Sequence, residues 1–119
     1  MPKLIKTPTR ILTPDGDNKI IKEFIGKVNT KSSNISIARM NAVAGWSEPG
    51  QRPEFDEYTI ILSGTVNVET EKGDFDAIAG QVVIAEKGQW VRYSTPYDGG
   101  AEYISVCVPA FSPDSVHRD

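Results

Sequence analysis

Histidine is almost missing from this chain, and its scarcity limits the chemistry available. The one histidine among 119 residues is His117, so no arrangement of a single chain supplies a three-histidine metal site. Cysteine is equally scarce. Cys107 alone cannot form an internal disulfide, and within the apolar run YISVCVPAF it reads as a small core residue rather than a nucleophile. There is no basic run, and 13 Lys and Arg against 16 Asp and Glu leave a formal charge of -3, which argues against nucleic acid as a partner. No apolar stretch approaches a membrane span, and the opening MPKLIKTPTR lacks the apolar core of a secretion signal, so a cytoplasmic location and no membrane partner are expected.

Helical segments are also missing after Asn34. The chain runs there as short apolar stretches separated by turn residues, the pattern of an all-β sandwich or barrel. Strands are predicted over 35–43, 57–62, 65–70, 75–79, 82–85, 90–94 and 102–108. Glu71-Lys72-Gly73-Asp74 closes a hairpin, and 45–50 and 96–100 are loops. Ile20, Ile21, Phe24, Ile25 and Val28 recur at helical spacing, yet Gly26 and the shortness of the segment favour a strand. Ser112-Pro113 reads as the start of a single helical turn, with Ser112 as N-cap.

The glycines stand at suggestive intervals. Gly45, five residues, Gln51-Arg52-Pro53, three residues, Glu57, six residues and Gly64 form one frame. Gly80, five residues, Glu86-Lys87-Gly88, two residues, Val91, three residues and Thr95 form a second. These frames resemble the paired motifs of the cupin superfamily, and their short spacing resembles the small single-domain type with an RmlC-like jelly roll. In that family three histidines and a glutamate hold a metal. Here the histidine positions carry Gln51, Pro53 and Val91, and only Glu57 matches, so the resemblance implies the barrel with a degenerate metal site. The string Phe55-Asp56-Glu57, with a histidine-free second frame, is also similar to the cupin domain of ethanolamine-utilisation proteins.

The resemblance implies a single cupin jelly-roll β-barrel over residues 33–110, with an N-terminal arm (1–32) and a C-terminal tail (111–119). It also implies a homodimer. Strand alternation turns Glu57, Thr59 and Ile61 inward and Tyr58, Ile60 and Leu62 outward, and those three apolar side chains need cover. Glu57 is the candidate catalytic residue, because a carboxylate enclosed in a barrel suits general acid or base work.

Gln51 and Tyr93 are candidate ligand contacts, the latter sharing the inward face of Val91. Arg39 is a candidate for holding a ligand carboxylate, and Trp46, in the loop leading to the barrel mouth, for stacking on a flat ligand. The expected function is binding of a polar small molecule, a sugar or organic acid, with no cofactor and no transition metal, and with proton-transfer catalysis (isomerase, epimerase or lyase) as its active form. A non-catalytic regulatory barrel is the alternative. A further alternative retains a hard cation through oxygen ligands, Glu57 with Gln51 or Glu54. His117-Arg118-Asp119 reads as a frayed terminus, or less simply as part of a turn folded back over a barrel mouth.

Overall fold

The computed structural model describes residues 1–119, and nearly all its regular structure is strand. In chain order the strands are β1 (Thr9–Ile11), β2 (Lys19–Ile25), β3 (Ser36–Ala42), β4 (Trp46–Ser47), β5 (Asp56–Thr70), β6 (Gly73–Ile78), β7 (Val82–Ala85), β8 (Val91–Thr95) and β9 (Ala101–Val108). All pairings are antiparallel, and they curl into a single all-β barrel. Strands β8 and β9 alternate buried and less buried residues along their length, as one-sided packing requires.

Strand β5 organises the barrel because it belongs to both sheets. Its first half pairs with β9 and β7, completing a sheet ordered β1-β2-β3-β9-β5-β7. Its second half pairs with β6 and β8, and β8 carries β4, to form the opposite sheet. The register slips between Ile61 and Ser63, so inward positions change from Thr59 and Ile61 to Val66 and Val68. Gly64 stands just past this slip at φ 76°, and a Cβ there would lie 2.1 Å from the Gly100 carbonyl oxygen. Only glycine meets both conditions. Ile61, Val66 and Val68 then form the centre of the main core with Trp46, Val91, Tyr93 and Tyr103. Each such buried aliphatic side chain contributes about 2 kcal/mol.

The residues assigned to an N-terminal arm do more than extend from the barrel. β2 hydrogen-bonds to β3 along its length and β1 to β2, so the sheet begins well before residue 33. The segment over 19–25 is a strand, and the helical spacing of its apolar residues has a simple origin. Its inward face is Lys19, Ile21 and Glu23, so charged side chains occupy alternate positions that a core-facing strand normally gives to apolar ones.

The reading of His117-Arg118-Asp119 as a frayed terminus is corrected. After a 3-10 turn at Pro113–Ser115, capped by Ser112 and Ser115, the chain docks along residues 50–54. The Glu54 amide donates to the Ser115 carbonyl (2.8 Å), the Arg52 amide to that of His117 (3.2 Å) and the Asp119 amide to that of Gly50 (2.8 Å). Phe111 meets Phe55 edge-to-face at 6.1 Å, and the Trp90 indole donates to Asp119 at 3.0 Å. These bonds hold the segment across the barrel mouth.

Candidate functional site

Inside the barrel lies a cavity of about 330 Å³, walled by β2, β3, β5, β8 and β9 and covered by the 111–119 segment. Strand parity delivers its polar groups. β5 contributes Glu57 and Thr59, β8 contributes Tyr93, β9 contributes Tyr103, Ser105 and Cys107, and β2 contributes Lys19 and Glu23. Gln51 enters because its backbone forms a bridge with Val91 on one side and Arg118 on the other.

Glu57 is anchored at one oxygen and free at the other. Ser105 Oγ donates to Glu57 Oε2 at 2.5 Å, with the Cys107 thiol 3.8 Å from the same atom. Glu57 Oε1 is buried and has no hydrogen-bond partner; the same holds for Gln51 Oε1 and the Tyr93 hydroxyl. Orphaned polar atoms are rare in folded interiors, and three of the four here belong to residues walling one cavity, the fourth being Trp46 Nε1. Burial, and then the negative Glu57 carboxylate, pushes the Tyr93 phenol well above its ordinary value, although no hydrogen bond of ordinary geometry joins the two. Burial, and then Glu57, likewise pushes the Cys107 thiol upward, so this cysteine stays a thiol.

A second group of charges lies in the same cavity. Lys19 is 8% exposed, and its ammonium sits 4.3 Å above the Trp46 ring. Glu48, 5% exposed, offers Oε2 to Lys19 Nζ at 3.7 Å and to an Arg118 guanidinium nitrogen at 3.6 Å. Burial alone would lower the Lys19 ammonium, but the Tyr103 phenol and the Glu48 and Glu57 carboxylates outweigh it, and the net shift is upward. The Glu48 carboxyl moves up as well, since burial exceeds the opposing pull of Lys19. Lys19 therefore keeps its charge, while Glu48 takes up a proton more readily than an exposed carboxylate. Glu23 is occupied otherwise: its Oε2 accepts from the Val28 and Asn29 amides at 3.0 and 2.8 Å and fixes the turn after β2.

The structure thus brings Glu57, Gln51 and Tyr93 together and separates the other candidates from them. Arg39 lies on the exposed outer face and pairs with Glu102, because its parity on β3 is opposite to that of the cavity-lining Ala38 and Met40. Trp46 is a buried core residue beneath Lys19, not a stacking platform at the mouth. Lys19, Glu48, Tyr103, Ser105 and Arg118 were not singled out from sequence as site residues. The one available signal was charge on alternate positions of β2.

The donor set does not fit the metal that the resemblance implies. Of the four ligand positions, Gln51 and Glu57 reach the cavity, whereas Pro53 and Val91 do not wall it and carry no donor atom on their side chains. Glu54, considered as an oxygen ligand, points away to His117 Nε2 at 2.8 Å. No three His, Cys, Asp or Glu side chains are grouped as a cation would need.

No family model matches the sequence. Over 108 residues it is 43% identical to the endoribonuclease YbeY of Myxococcus xanthus (strain DK1622), a match covering 91% of this chain and 37% of that protein. The chain therefore spans little more than a third of this relative. Among solved structures, oxalate decarboxylase from Bacillus subtilis superposes with a TM-score of 0.78 at 18% identity, over 96% of this chain and 30% of that one. A Salmonella typhimurium protein described as a putative ethanolamine utilization protein EutQ gives 0.62 at 21% identity, over 78% of this chain and 71% of that one. At such identities the likeness concerns architecture alone. By its own strand order and by these neighbours, the chain has the cupin jelly-roll fold.

Proposed function

We propose that the protein binds a small polar metabolite, a sugar or organic acid, within the barrel and without a transition metal. The observation that carries this reading is the convergence of Gln51 Oε1, Glu57 Oε1 and the Tyr93 hydroxyl, all buried and unpartnered, on one cavity of about 330 Å³. Leaving such atoms unpaired costs stability, and a ligand's hydroxyls offset that cost by supplying the missing bonds. The same geometry suits proton transfer. Ser105 orients the Glu57 carboxylate, Oε1 is free to accept a proton from the ligand, and the protonated Tyr93 phenol can donate to the oxygen where charge develops.

Thermal-shift and calorimetric screening with sugars and organic acids tests the binding. Glu57→Gln and Tyr93→Phe are each expected to weaken a hit by about tenfold. A hit indifferent to both variants removes this cavity as the site. Incubation in deuterated water then separates the enzyme from its non-catalytic alternative: a bound ligand recovered without deuterium and without rearrangement defeats the proton-transfer role and leaves a binding or regulatory barrel.

A second copy of the chain is the proposed cover for the outer face that carries Tyr58 and Leu62, making the protein a homodimer. The free buried thiol of Cys107 is in keeping with a cytoplasmic location. The Myxococcus relative favours a second reading, in which this barrel serves as the ligand-sensing part of an RNA-processing protein. The lone histidine here is exposed and paired with Glu54, and acidic residues outnumber basic ones, so in this reading the barrel itself senses a ligand and does not cleave RNA. Cleavage of RNA by the chain alone would refute it.

A further inference from the structure

Lys19 and Arg118 are spent on very little. Lys19 is enclosed and walls the cavity; the Tyr103 hydroxyl lies beside its ammonium without a hydrogen bond of ordinary geometry, and its ion-pair partner, Glu48 Oε2, stands 3.7 Å away. Arg118 makes no side-chain hydrogen bond either and approaches the same oxygen to 3.6 Å. Charge-assisted hydrogen bonds close to about 2.8 Å, so these two cations share one carboxylate without bonding to it. A buried ammonium with unused donors is costly unless something it binds uses them. Two cations thus flank the one carboxylate oxygen of Glu48, Lys19 enclosed and Arg118 at the solvent edge, while the Glu57 carboxylate stands elsewhere on the same cavity wall.

We propose that Lys19 and Arg118 form a carboxylate-binding subsite, and that the ligand is a small acid also carrying hydroxyl or ammonium donors. This deepens the reading of the cavity given above and rests on it. The acid's carboxylate takes the ammonium and guanidinium donors that Glu48 leaves without a close hydrogen bond. Its donors meet the acceptor atoms Glu57 Oε1 and Gln51 Oε1, with the Tyr93 hydroxyl beside them. A neutral polyol satisfies the second set and leaves the cationic donors without a charged acceptor in hydrogen-bond reach. An acid without donors satisfies the first and sets its remaining surface against the Glu57 carboxylate. Glu23 also walls the cavity, with its Oε2 held by the Val28 and Asn29 amides.

Calorimetry on the whole chain with matched probes tests the subsite. D-Gluconate is compared with sorbitol, and L-serine with L-serinamide, each pair differing in the carboxylate, the first offering hydroxyl donors only and the second an ammonium as well. In at least one pair the carboxylate member is expected to bind tighter by about tenfold or more. Lys19→Met and Arg118→Gln are expected to erase that preference. Arg118 lies on the surface-docked segment, so its variant keeps the test decisive should loss of Lys19 impair folding. Equal affinity within both pairs, preference retained in Arg118→Gln, or no binding of any probe overturns the subsite. Equal affinity within both pairs, with gluconate and sorbitol both weakened in Glu57→Gln, overturns it while the cavity reading stands. Gluconate binding that Glu57→Gln leaves unaltered overturns the cavity reading itself.

Discussion

Tyr93, Tyr103 and Cys107 face one cavity, and burial pushes all three above their ordinary values. The sign of the resulting pH dependence follows directly. Above the ordinary phenol value of about 10, the unfolded chain has released protons that the folded barrel still holds, so stability falls as pH rises. Spectrophotometric titration of the folded protein should therefore show Tyr93 and Tyr103 ionising only as the barrel unfolds in alkali. Tyr93→Phe and Tyr103→Phe should each remove one delayed tyrosine and move alkaline unfolding to higher pH. Smooth ionisation of both phenols near the ordinary value, with native near-ultraviolet dichroism preserved, would contradict their enclosure.

At this scale the motif intervals made Glu57 and Gln51 legible, and alternation from Val91 added Tyr93. Lys19, Glu48 and Arg118 were illegible for a physical reason. Each is a charged residue of a type that is normally solvated, and only tertiary packing encloses Lys19 and Glu48 and brings the exposed Arg118 to the cavity.

Among the elements, β5 depends most on a single residue. At Gly64 the strand leaves one sheet for the other, with φ at 76° and the Gly100 carbonyl in the space a side chain would need. Gly64→Ala is expected to lower the stability of the fold by about 2 kcal/mol or more, read as a reduced denaturant midpoint. An unchanged midpoint would mean that the passage between sheets is not set by this residue. The strand itself was legible as separate runs on either side of Gly64, because the register slip reverses the apolar alternation there and makes one strand read as two. β2 was harder to read, since Lys19 and Glu23 share its cavity face with Ile21, while Ile20 and Phe24 do not line the cavity. The 111–119 segment left least trace in the sequence. It is held mainly through backbone groups, which any side-chain pattern could supply.

For the whole molecule, the outer face of the larger sheet is the conspicuous surface. Tyr58 lies opposite Ile84 and Val106, and Ile60 opposite Val82 and Ile104, which extends a continuous apolar strip over β7, β5 and β9. Ile84 is 62% exposed and Val82 54%, more than a soluble surface usually carries in one place. Light scattering is expected to give twice the 13.0 kDa chain mass, and Ile84→Asp or Tyr58→Asp to halve it without loss of fold. A wild-type monomer at micromolar concentration would refute the dimer. The barrel as a whole was the most legible feature, because glycine positions and strand lengths record backbone geometry. The cavity's ligand chemistry was less so, because it depends on side chains that different strands bring together.

The place of β9 between β3 and β5 bears on how the chain emerges from the ribosome. β1, β2 and β3 pair among themselves, and the one strand whose ladder joins them to the rest of the barrel is β9. Until Ala101–Val108 has been synthesised, the nascent polypeptide holds two incomplete sheets with unpaired edges, each a template for pairing with another molecule. Barrel closure is accordingly a late event in translation, and chaperones that shield strand edges act before it. A message broken ahead of β9 then yields an aggregating product rather than a smaller barrel.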